Sequence, residues 1–367
     1  MELQGTPSQH GFYFPAEFAP QEQVWLAWPD RPDNWRENAK PAQLAFVEVA
    51  KAISQHTLVS VAASPNQFLN ATLMLPEHIN VVEMPLNDAW MRDIGPTIVI
   101  NDAGERRGIS WQFNAWGGDV DGLYAPWDDD DRVAAQVCEL LTLDHYRAPF
   151  VLEGGAIHTD GEGTLYTTKE CLLSAGRNPH LTQAQIEAYL AEYLSVQKII
   201  WLPDGLFNDE TNGHVDNLLH VIAPAEVVLS WCDDPDDPQY EISRRALAVL
   251  ENSTDAQGRV IKVHKILIPG PLFLSESEAA GIDASEGMKR EAGERLGGSY
   301  ANFLMCNQKV FLPLLDSARD QQAIDILKAA LPDYEIIGIP AREILLGGGN
   351  IHCITQQIPQ ALASKTC

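Results

Sequence analysis

The sequence predicts an α/β fold built from repeated units, a propeller or an array in which every unit sends one loop to a shared axis. The first observation is an internal repeat, because residues 152–159 (LEGGAIHT) align without gaps on residues 346–353 (LGGGNIHC). Residues 211–217 (TNGHVDN) repeat the pattern, and we interpret residues 92–96 and 299–303 as more diverged copies. The second observation is that predicted strands outnumber predicted helices by roughly two or three to one, which is typical of ββαβ units.

Each copy of the repeat contains one strongly polar residue. These residues recur at intervals of roughly 50 to 90 positions, and they are Asp93, Glu153, His214, Asn302 and Cys353. Repeated units would bring the five side chains together. No linker or low-complexity tract divides the chain, so we expect residues 1–367 to form a single domain.

Short apolar runs and segments of helical periodicity alternate along the chain. The first run, residues 24–28, is a predicted strand that ends at Pro29, and residues 40–53 place apolar side chains at helical spacing. Residues 182–194 are predicted to form a helix that begins at a Thr182 cap. The other predicted strands are residues 58–63, 79–84, 97–100, 149–152, 161–168, 198–202, 218–222, 227–231, 260–268, 303–306, 310–312 and 334–339.

Turn residues between neighbouring strands predict three hairpins. The predicted pairs are residues 149–152 with 161–168, 218–222 with 227–231, and 303–306 with 310–312. Trp90 and Asp93 are expected in the loop before the strand at residues 97–100.

An acidic run at residues 127–133 (WDDDDRV) has two interpretations. A calcium loop would need the spacing D-x-[DN]-x-[DN]-G, which is absent. A helical segment follows directly, so we favour capping of a helix N-terminus, where carboxylates suit the helix dipole.

The composition limits the class of partner. There are 51 Asp and Glu residues against 25 Lys and Arg, giving a formal charge of −26. This charge argues against nucleic acid, whose affinity rests on cationic contacts to phosphate. It suits a small cationic substrate, although a role in solubility alone explains it equally well.

Location and redox state follow from simple absences in the sequence. The N-terminus, residues 1–7, has neither a basic nor an apolar signal region, and no run is long enough to span a membrane, so we expect a cytoplasmic protein. The cysteines stand at wide spacings that predict free thiols rather than disulfides or a zinc site; they are Cys138, Cys171, Cys232, Cys306, Cys353 and Cys367.

The stretch of residues 345–357 is the predicted centre of the chemistry. Its glycines, residues 347–349, let the backbone approach a ligand closely, and Cys353 follows them at the mouth of a predicted strand. The alternative is a glycine-rich hairpin with an inert buried cysteine.

Four motifs in order resemble those of the agmatine deiminases, which belong to the guanidino-group-modifying superfamily. They are residues 90–96 (WMRDIGP), 152–155 (LEGG), 212–217 (NGHVDN) and 347–353 (GGGNIHC). The resemblance extends over nearly the whole chain. It implies a five-bladed α/β propeller of ββαβ repeats with pseudo-fivefold symmetry, the pentein fold, and hydrolysis of agmatine to N-carbamoylputrescine and ammonia in putrescine synthesis or agmatine breakdown.

The resemblance also implies a role for each catalytic residue. Asp93 and Asp216 hold the substrate guanidinium, and Cys353 adds to its central carbon. His214 protonates the leaving ammonia and then activates the water that hydrolyses the amidino-cysteine intermediate, while Glu153 orients His214. This mechanism uses only side chains and water, so no metal or organic cofactor is indicated. Assembly as a homo-oligomer is compatible with the sequence.

Further substrate contacts are expected from Trp90 and Gly348, which lie within the matching motifs, and from Glu210, which we assign to the terminal ammonium of agmatine. His214 and Asp216 are two positions apart, and an extended strand would place both on one face. On the same reasoning His352 would point away from Cys353. We therefore interpret His352 and its repeat partner His158 as structural.

Three other activities are weighed against this one. An arginine or peptidylarginine deiminase would need an arginine beside the substrate channel, whereas Asp204, Asp209 and Glu210 precede His214. A papain-like hydrolase would need its cysteine near the N-terminus, but here Cys353 comes last. A propeller that only binds polyamines would not need the full set of Cys, His and carboxylates.

Overall fold

The computed structural model describes residues 1–285 and 287–361. Cys367 lies outside them, and the other five cysteines are buried free thiols, as predicted. Within the described ranges, no helix is both long enough and apolar enough to cross a membrane.

The strands form five separate sheets of three or four strands each. In chain order they are β1 (Glu2–Leu3), β2 (Gln21–Ala27), β3 (Leu58–Ala63), β4 (Asn80–Glu83), β5 (Thr97–Ile100), β6 (Arg106–Gln112), β7 (His145–Val151), β8 (His158–Thr159), β9 (Thr164–Thr168), β10 (Lys198–Leu202), β11 (Leu219–Ala223), β12 (Glu226–Trp231), β13 (Lys262–Leu267), β14 (Leu304–Cys306), β15 (Lys309–Leu314), β16 (Glu335–Pro340) and β17 (Thr355–Pro359).

The helices fall into long ones that cover sheets and one-turn ones in connections. They are α1 (Lys40–Ser54), α2 (Phe68–Met74), α3 (Met91–Ile94), α4 (Gly118–Asp121), α5 (Asp130–Leu140), α6 (Lys169–Leu172), α7 (Gln183–Leu194), α8 (Val215–Leu218), α9 (Gln239–Glu251), α10 (Glu276–Ala279), α11 (Asp320–Ala330) and α12 (Arg342–Leu345). The helices predicted at residues 40–53 and 182–194 are confirmed, and Thr182 caps α7 by accepting a hydrogen bond from the Gln185 amide.

Every sheet repeats one arrangement, in which two antiparallel strands are followed by a helix and by a third strand parallel to the second. The five units are β17–β2–α1–β3, β5–β6–α5–β7, β8–β9–α7–β10, β11–β12–α9–β13 and β14–β15–α11–β16. The first unit joins the two ends of the chain, because β17 pairs with β2 and places Thr355 opposite Leu26.

The apolar face of each long helix packs against its sheet. In the first unit Phe46, Val49 and Ile53 of α1 share one buried cluster with Val24 and Val61 of the strands. Burial of apolar area supplies most of the stability of such a layer. The same cluster includes Ile98 and Val137 of the second unit and Phe311 of the fifth, so apolar packing also joins neighbouring units and fixes the loops between them.

The five polar residues of the repeat occupy equivalent places, since each lies just ahead of the first strand of a unit. Asp93 precedes β5, Glu153 precedes β8, His214 precedes β11, Asn302 precedes β14 and Cys353 precedes β17. The alignment of the diverged copies is thus confirmed.

Some local predictions were wrong. The antiparallel partner of β9 is β8, not residues 149–152, which end β7 in another sheet. The predicted loop around Asp93 is the one-turn helix α3, and Trp90 is its N-cap. A single turn shows no periodicity in a sequence, so it escapes detection.

The acidic run begins α5, but it does not cap that helix with a side chain. Asp129 is the N-cap residue and its side chain makes no capping hydrogen bond. Asp130, in the first turn, instead accepts hydrogen bonds from the backbone amides of Asn87 and Asp88 at 2.8 and 3.1 Å. The run thus ties α5 to the segment before Trp90.

Candidate active site

Cys353 lies in a turn after the three glycines and is buried. Its Sγ is 3.1 Å from Asn302 Nδ2 and 3.8 Å from Asp216 Oδ2. Burial raises the pKa of the thiol well above its usual value, and the charges of Asp216 and Asp93 raise it further. A cationic ligand between these carboxylates would oppose that rise and favour the thiolate.

Both carboxylate oxygens of Asp93 accept a hydrogen bond. Its Oδ1 accepts a hydrogen bond from the Gly155 amide at 2.9 Å, and its Oδ2 accepts one from Trp116 Nε1 at 2.9 Å. Burial raises the pKa of Asp93 to about 6, although nearby His214 acts in the opposite direction.

His214 lies between two carboxylates. Its Nε2 is 3.5 Å from Glu153 Oε2, and its Nδ1 is 3.8 Å from Asp93 Oδ1. Burial lowers the pKa of His214, but Asp93 and Glu153 outweigh it, so the pKa stands well above its usual value. The imidazole is thus ready to act as a proton donor.

Glu153 is fixed by a second buried partner that the sequence did not indicate. Its Oε1 is 2.8 Å from Arg177 Nε, and both side chains are fully buried. Burial would raise the pKa of Glu153, but Arg177 and His214 hold it below its usual value. Glu153 is therefore an anion beside His214, as its predicted role requires.

The two oxygens of Asp216 have different surroundings. Its Oδ2 accepts a hydrogen bond from His352 Nδ1 at 2.8 Å, whereas its Oδ1 has no hydrogen-bond partner among the described residues. Burial would raise the pKa of Asp216, but His352 keeps it below its usual value. A buried ionised oxygen without a donor is a site for a cationic ligand.

The predicted strand geometry around these residues was wrong, although the side chains do meet. His214 is the N-cap of α8, and Asp216 is in that one-turn helix, not on a strand. His352 lies in the turn before β17, so strand alternation does not direct its side chain. A Cβ added at Gly155 would lie within 3.0 Å of atoms of His214, Asp93 and Asp216, which shows how closely the three converge.

A small cavity opens beside Cys353. Four of the five predicted substrate contacts line it together with Cys353, namely Trp90, Asp93, Glu210 and Gly348, whereas Asp216 is not among its lining residues. The remaining lining residues are Trp116, Leu123, Thr211, Met288, Gly347 and Gly349. Apolar walls with a few convergent polar groups are typical of small-molecule sites.

Glu210 lies at this cavity with an unexpected partner. Its Oε1 forms an ion pair with Arg290, which also donates hydrogen bonds to Asn34 Oδ1 and the Gly347 carbonyl, both at 2.8 Å. Gly348 has a φ of +105°, and a Cβ there would meet Glu210 Oε2. Arg290, which comes from a distant segment of the chain, therefore lies beside the cavity, although no arginine is close to Glu210 in the sequence.

The other acidic residues of that segment point elsewhere. Asp204 forms an ion pair with Arg245 at 3.1 Å. Asp209 accepts hydrogen bonds from Thr211 and from Asn217 Nδ2. Of the three acidic side chains before His214, only Glu210 lines the cavity.

Three site residues were absent from the predicted set: Asn302, Arg177 and Trp116. The sequence did indicate Asn302, because the repeat alignment placed it at the position equivalent to Cys353. It did not indicate Arg177 or Trp116, because each lies in a connection between elements and outside the repeated motifs.

Two groups of described residues bring ligating atoms within 4.8 Å of one another. One is Glu153, Cys171 and His214, in which Arg177 already occupies the carboxylate. The other is His158, His220 and His352, in which both nitrogens of His352 face carboxylates. In each group, at least one ligating residue is thus already engaged in an ion pair.

Comparison with known proteins agrees with this geometry. The profile of the Porphyromonas-type peptidyl-arginine deiminases matches residues 13–359. A Vibrio parahaemolyticus protein provisionally named agmatine deiminase is 65% identical over 98% of this chain and 100% of its own. The agmatine deiminase of Pseudomonas syringae pv. tomato is 57% identical over 97% of this chain and 98% of its own.

A solved structure gives the same result. The agmatine deiminase of Enterococcus faecalis superposes with a TM-score of 0.96 at 50% identity, covering 98% of this chain and 100% of that one. The chain therefore belongs to the Porphyromonas-type peptidyl-arginine deiminase family, in which the Pseudomonas syringae and Enterococcus faecalis relatives are agmatine deiminases.

Proposed function

We propose that this protein is an agmatine deiminase, which hydrolyses agmatine to N-carbamoylputrescine and ammonia in polyamine synthesis or agmatine breakdown. The observation that carries the proposal is the buried oxygen Asp216 Oδ1, which has no donor among the described residues and belongs to the carboxylate beside Cys353. A planar guanidinium supplies paired N–H donors for such an oxygen and for Asp93.

We also infer that the five ββαβ units are the blades of a propeller with pseudo-fivefold symmetry, and that residues 1–367 form one catalytic domain. Equivalent loops supply Asp93, Glu153, His214, Asn302 and Cys353, which a shared axis explains.

The charges of the resting site fit a substrate-assisted reaction. Binding of the guanidinium cation between Asp93 and Asp216 favours the Cys353 thiolate, which adds to the central carbon. His214 gives its proton to the leaving ammonia and then takes a proton from the attacking water. Collapse of the second adduct expels the thiolate, which takes back the proton that Cys353 lost when the substrate bound. The proton lost by the hydroxyl oxygen of the adduct is taken up by the ammonia already released, so the products are N-carbamoylputrescine and ammonium.

Ammonia release from agmatine tests this function. Cys353→Ser should bind agmatine but lose turnover by roughly four orders of magnitude or more, because a hydroxyl is far less ionised than a thiol. Mass spectrometry of wild type quenched during turnover should find an amidino adduct on the Cys353 peptide. An adduct on Cys171 or Cys306 would contradict the assignment, and Cys306→Ser serves as the matched control.

Glu210 is proposed to bind the terminal ammonium of agmatine, because it lines the cavity that contains Cys353. Its partner Arg290 favours a second candidate, arginine deimination, since a guanidinium there could meet the carboxylate of arginine. Glu210→Gln should raise KM for agmatine more than it lowers kcat, because the contact is remote from the reacting carbon. If the wild type prefers arginine over agmatine, the second candidate is supported. Arg290→Gln would then test whether Arg290 binds the carboxylate of arginine.

A further inference from the structure

A row of buried charged groups runs behind Asp216, away from the substrate cavity. His352 Nδ1 is 2.8 Å from Asp216 Oδ2, and His352 Nε2 is 2.7 Å from Glu17 Oε2. Arg92 Nη2 ends the row at 3.4 Å from the same Glu17 oxygen. All four side chains are buried, so water screens none of these charges.

The contacts fix the protonation state of His352. A neutral imidazole has one N–H, so its other nitrogen would turn a lone pair toward a carboxylate. Two carboxylates at hydrogen-bond distance therefore require both nitrogens to carry protons. Burial and Arg92 lower the pKa of His352, but Glu17 and Asp216 raise it more, and the net result is a raised pKa.

The remaining groups that face His352 are two other histidines, and they do not share its charge. His158 stacks on His352 with ring centroids 5.1 Å apart, and His220 lies at 5.3 Å. Burial lowers the pKa of both. His220 Nδ1 is 3.1 Å from the Ala301 carbonyl, which assigns the proton of a neutral ring to that nitrogen. His220 Nε2 is 3.4 Å from Glu17 Oε1 but forms no hydrogen bond with it, whereas His352 is 2.7 Å from Glu17 Oε2. The cation of the trio is therefore His352.

We propose that His352 is a positioning residue for the reaction, an imidazolium clamped between Glu17 and Asp216 that keeps Asp216 ionised and turns its Oδ1 toward the substrate. The proposal rests on the proposed function. Without the cation, burial would favour the protonated form of Asp216, which cannot hold a guanidinium with that oxygen.

The turn that carries His352 also carries the nucleophile. Asn302 Oδ1 accepts hydrogen bonds from the backbone amides of His352 and Cys353 at 3.1 and 3.3 Å. The clamp on Asp216 and the thiol are thus fixed by one side chain. Replacing the His352 side chain therefore removes its contact with Asp216 but keeps the two backbone hydrogen bonds to Asn302 that hold the turn.

His352→Gln tests the proposal, with His158→Gln as the matched control, since His158 is equally buried and stacks on His352 but does not contact Asp216. His352→Gln should lower kcat/KM for agmatine by about 100-fold, the usual scale for a misplaced site group. The acidic limb of its pH profile should shift to higher pH, because without the cation the pKa of the buried Asp216 would rise past that of Asp93, which sets the limb in the wild type. His158→Gln should keep the wild-type acidic limb.

Equal losses in both variants with unchanged pH profiles would overturn the proposal and leave His352 a packing residue. If His352→Gln does not fold, Glu17→Gln replaces it and should shift the limb in the same direction by a smaller amount.

NMR of ¹⁵N-histidine-labelled protein without substrate supplies a readout independent of activity. The His352 nitrogens should both still be protonated at a pH above the usual histidine pKa of about 6.5, and a neutral ring there would contradict the clamp. Absence of ammonia release by wild type would instead contradict the proposed function.

Discussion

Individual residues in this site owe their chemistry to burial beside a few named partners. Asp93, Asp216 and Glu153 are all buried carboxylates, yet only Asp93 has a raised pKa. The difference is how closely each one faces a cation, because Arg177 is 2.8 Å from Glu153 and His352 is 2.8 Å from Asp216, whereas His214 is 3.8 Å from Asp93. The charges of Asp216 and Glu153 also raise the pKa of Asp93. Asp93 should therefore be the first of the three to take up a proton.

This order predicts the acidic limb of the wild type. With a pKa of about 6, Asp93 is ionised above that pH and protonated below it. We expect kcat/KM for agmatine to fall about tenfold per pH unit below the pKa, because a neutral Asp93 loses its charge-assisted bond to the guanidinium. Initial rates at low agmatine over a range of pH will measure the limb. A flat profile down to the pKa of an ordinary carboxyl would show that Asp93 is not needed as an anion.

Asn302 should matter through its amide protons. Its Nδ2 is 3.1 Å from Cys353 Sγ, where it can stabilise the thiolate. Asn302→Asp replaces the donor with a carboxylate oxygen and should lower kcat by about 100- to 1000-fold, the loss seen when one donor to a reacting anion is removed. Asn307→Asp, at the far end of the same hairpin, is the control. Similar kcat values in the two variants would exclude a role for this donor.

At the scale of elements, one-turn helices carry the reacting groups and longer helices hold them in place. Trp90 and Asp93 are supported from α5, since Asp130 binds the amide of Asp88, and Asp88 Oδ2 accepts a hydrogen bond from Trp90 Nε1 at 3.0 Å. Through Asp88, Asp130 of the acidic run therefore helps to fix Trp90, which forms part of the cavity wall.

Asp130→Ala should destabilise the protein by about 2 kcal/mol, because it leaves buried amides without an acceptor. The control is Asp128→Ala, whose side chain is 71% exposed, and which should change stability by less than about 0.5 kcal/mol. Urea unfolding followed by circular dichroism will compare the two midpoints. Equal midpoints would mean that the helix dipole alone explains the run.

At the scale of the whole molecule, the excess of negative charge has a kinetic consequence. Agmatine carries a guanidinium and an ammonium, so a formal charge of −26 should attract it to the protein. Between roughly 20 and 500 mM salt we expect kcat/KM to fall several-fold, since the Debye length shortens over this range. The turnover at saturating agmatine should stay constant and is the internal control. A kcat/KM without salt dependence would leave solubility as the role of the charge.

The sequence by itself determined the features that short stretches encode. The aligned motifs identified Asp93, Glu153, His214 and Cys353 and placed Asn302 among them, because each unit repeats the same local pattern. The helices at residues 40–53 and 182–194, most of the strands and two of the three predicted hairpins followed from periodicity and turn residues. In these cases the residues that specify the structure are neighbours in the chain.

Only the tertiary structure decided which distant groups meet. The pairing of β17 with β2, the contact of His352 with Glu17, and the ion pairs of Arg177 with Glu153 and of Arg290 with Glu210 join segments that share no local pattern. Some of these contacts lie within one unit and others join separate units, but all of them depend on how the folded chain packs. Their charges then set the protonation states of the site, and burial, which no sequence pattern encodes, determines how strongly each carboxylate and histidine responds to its neighbours.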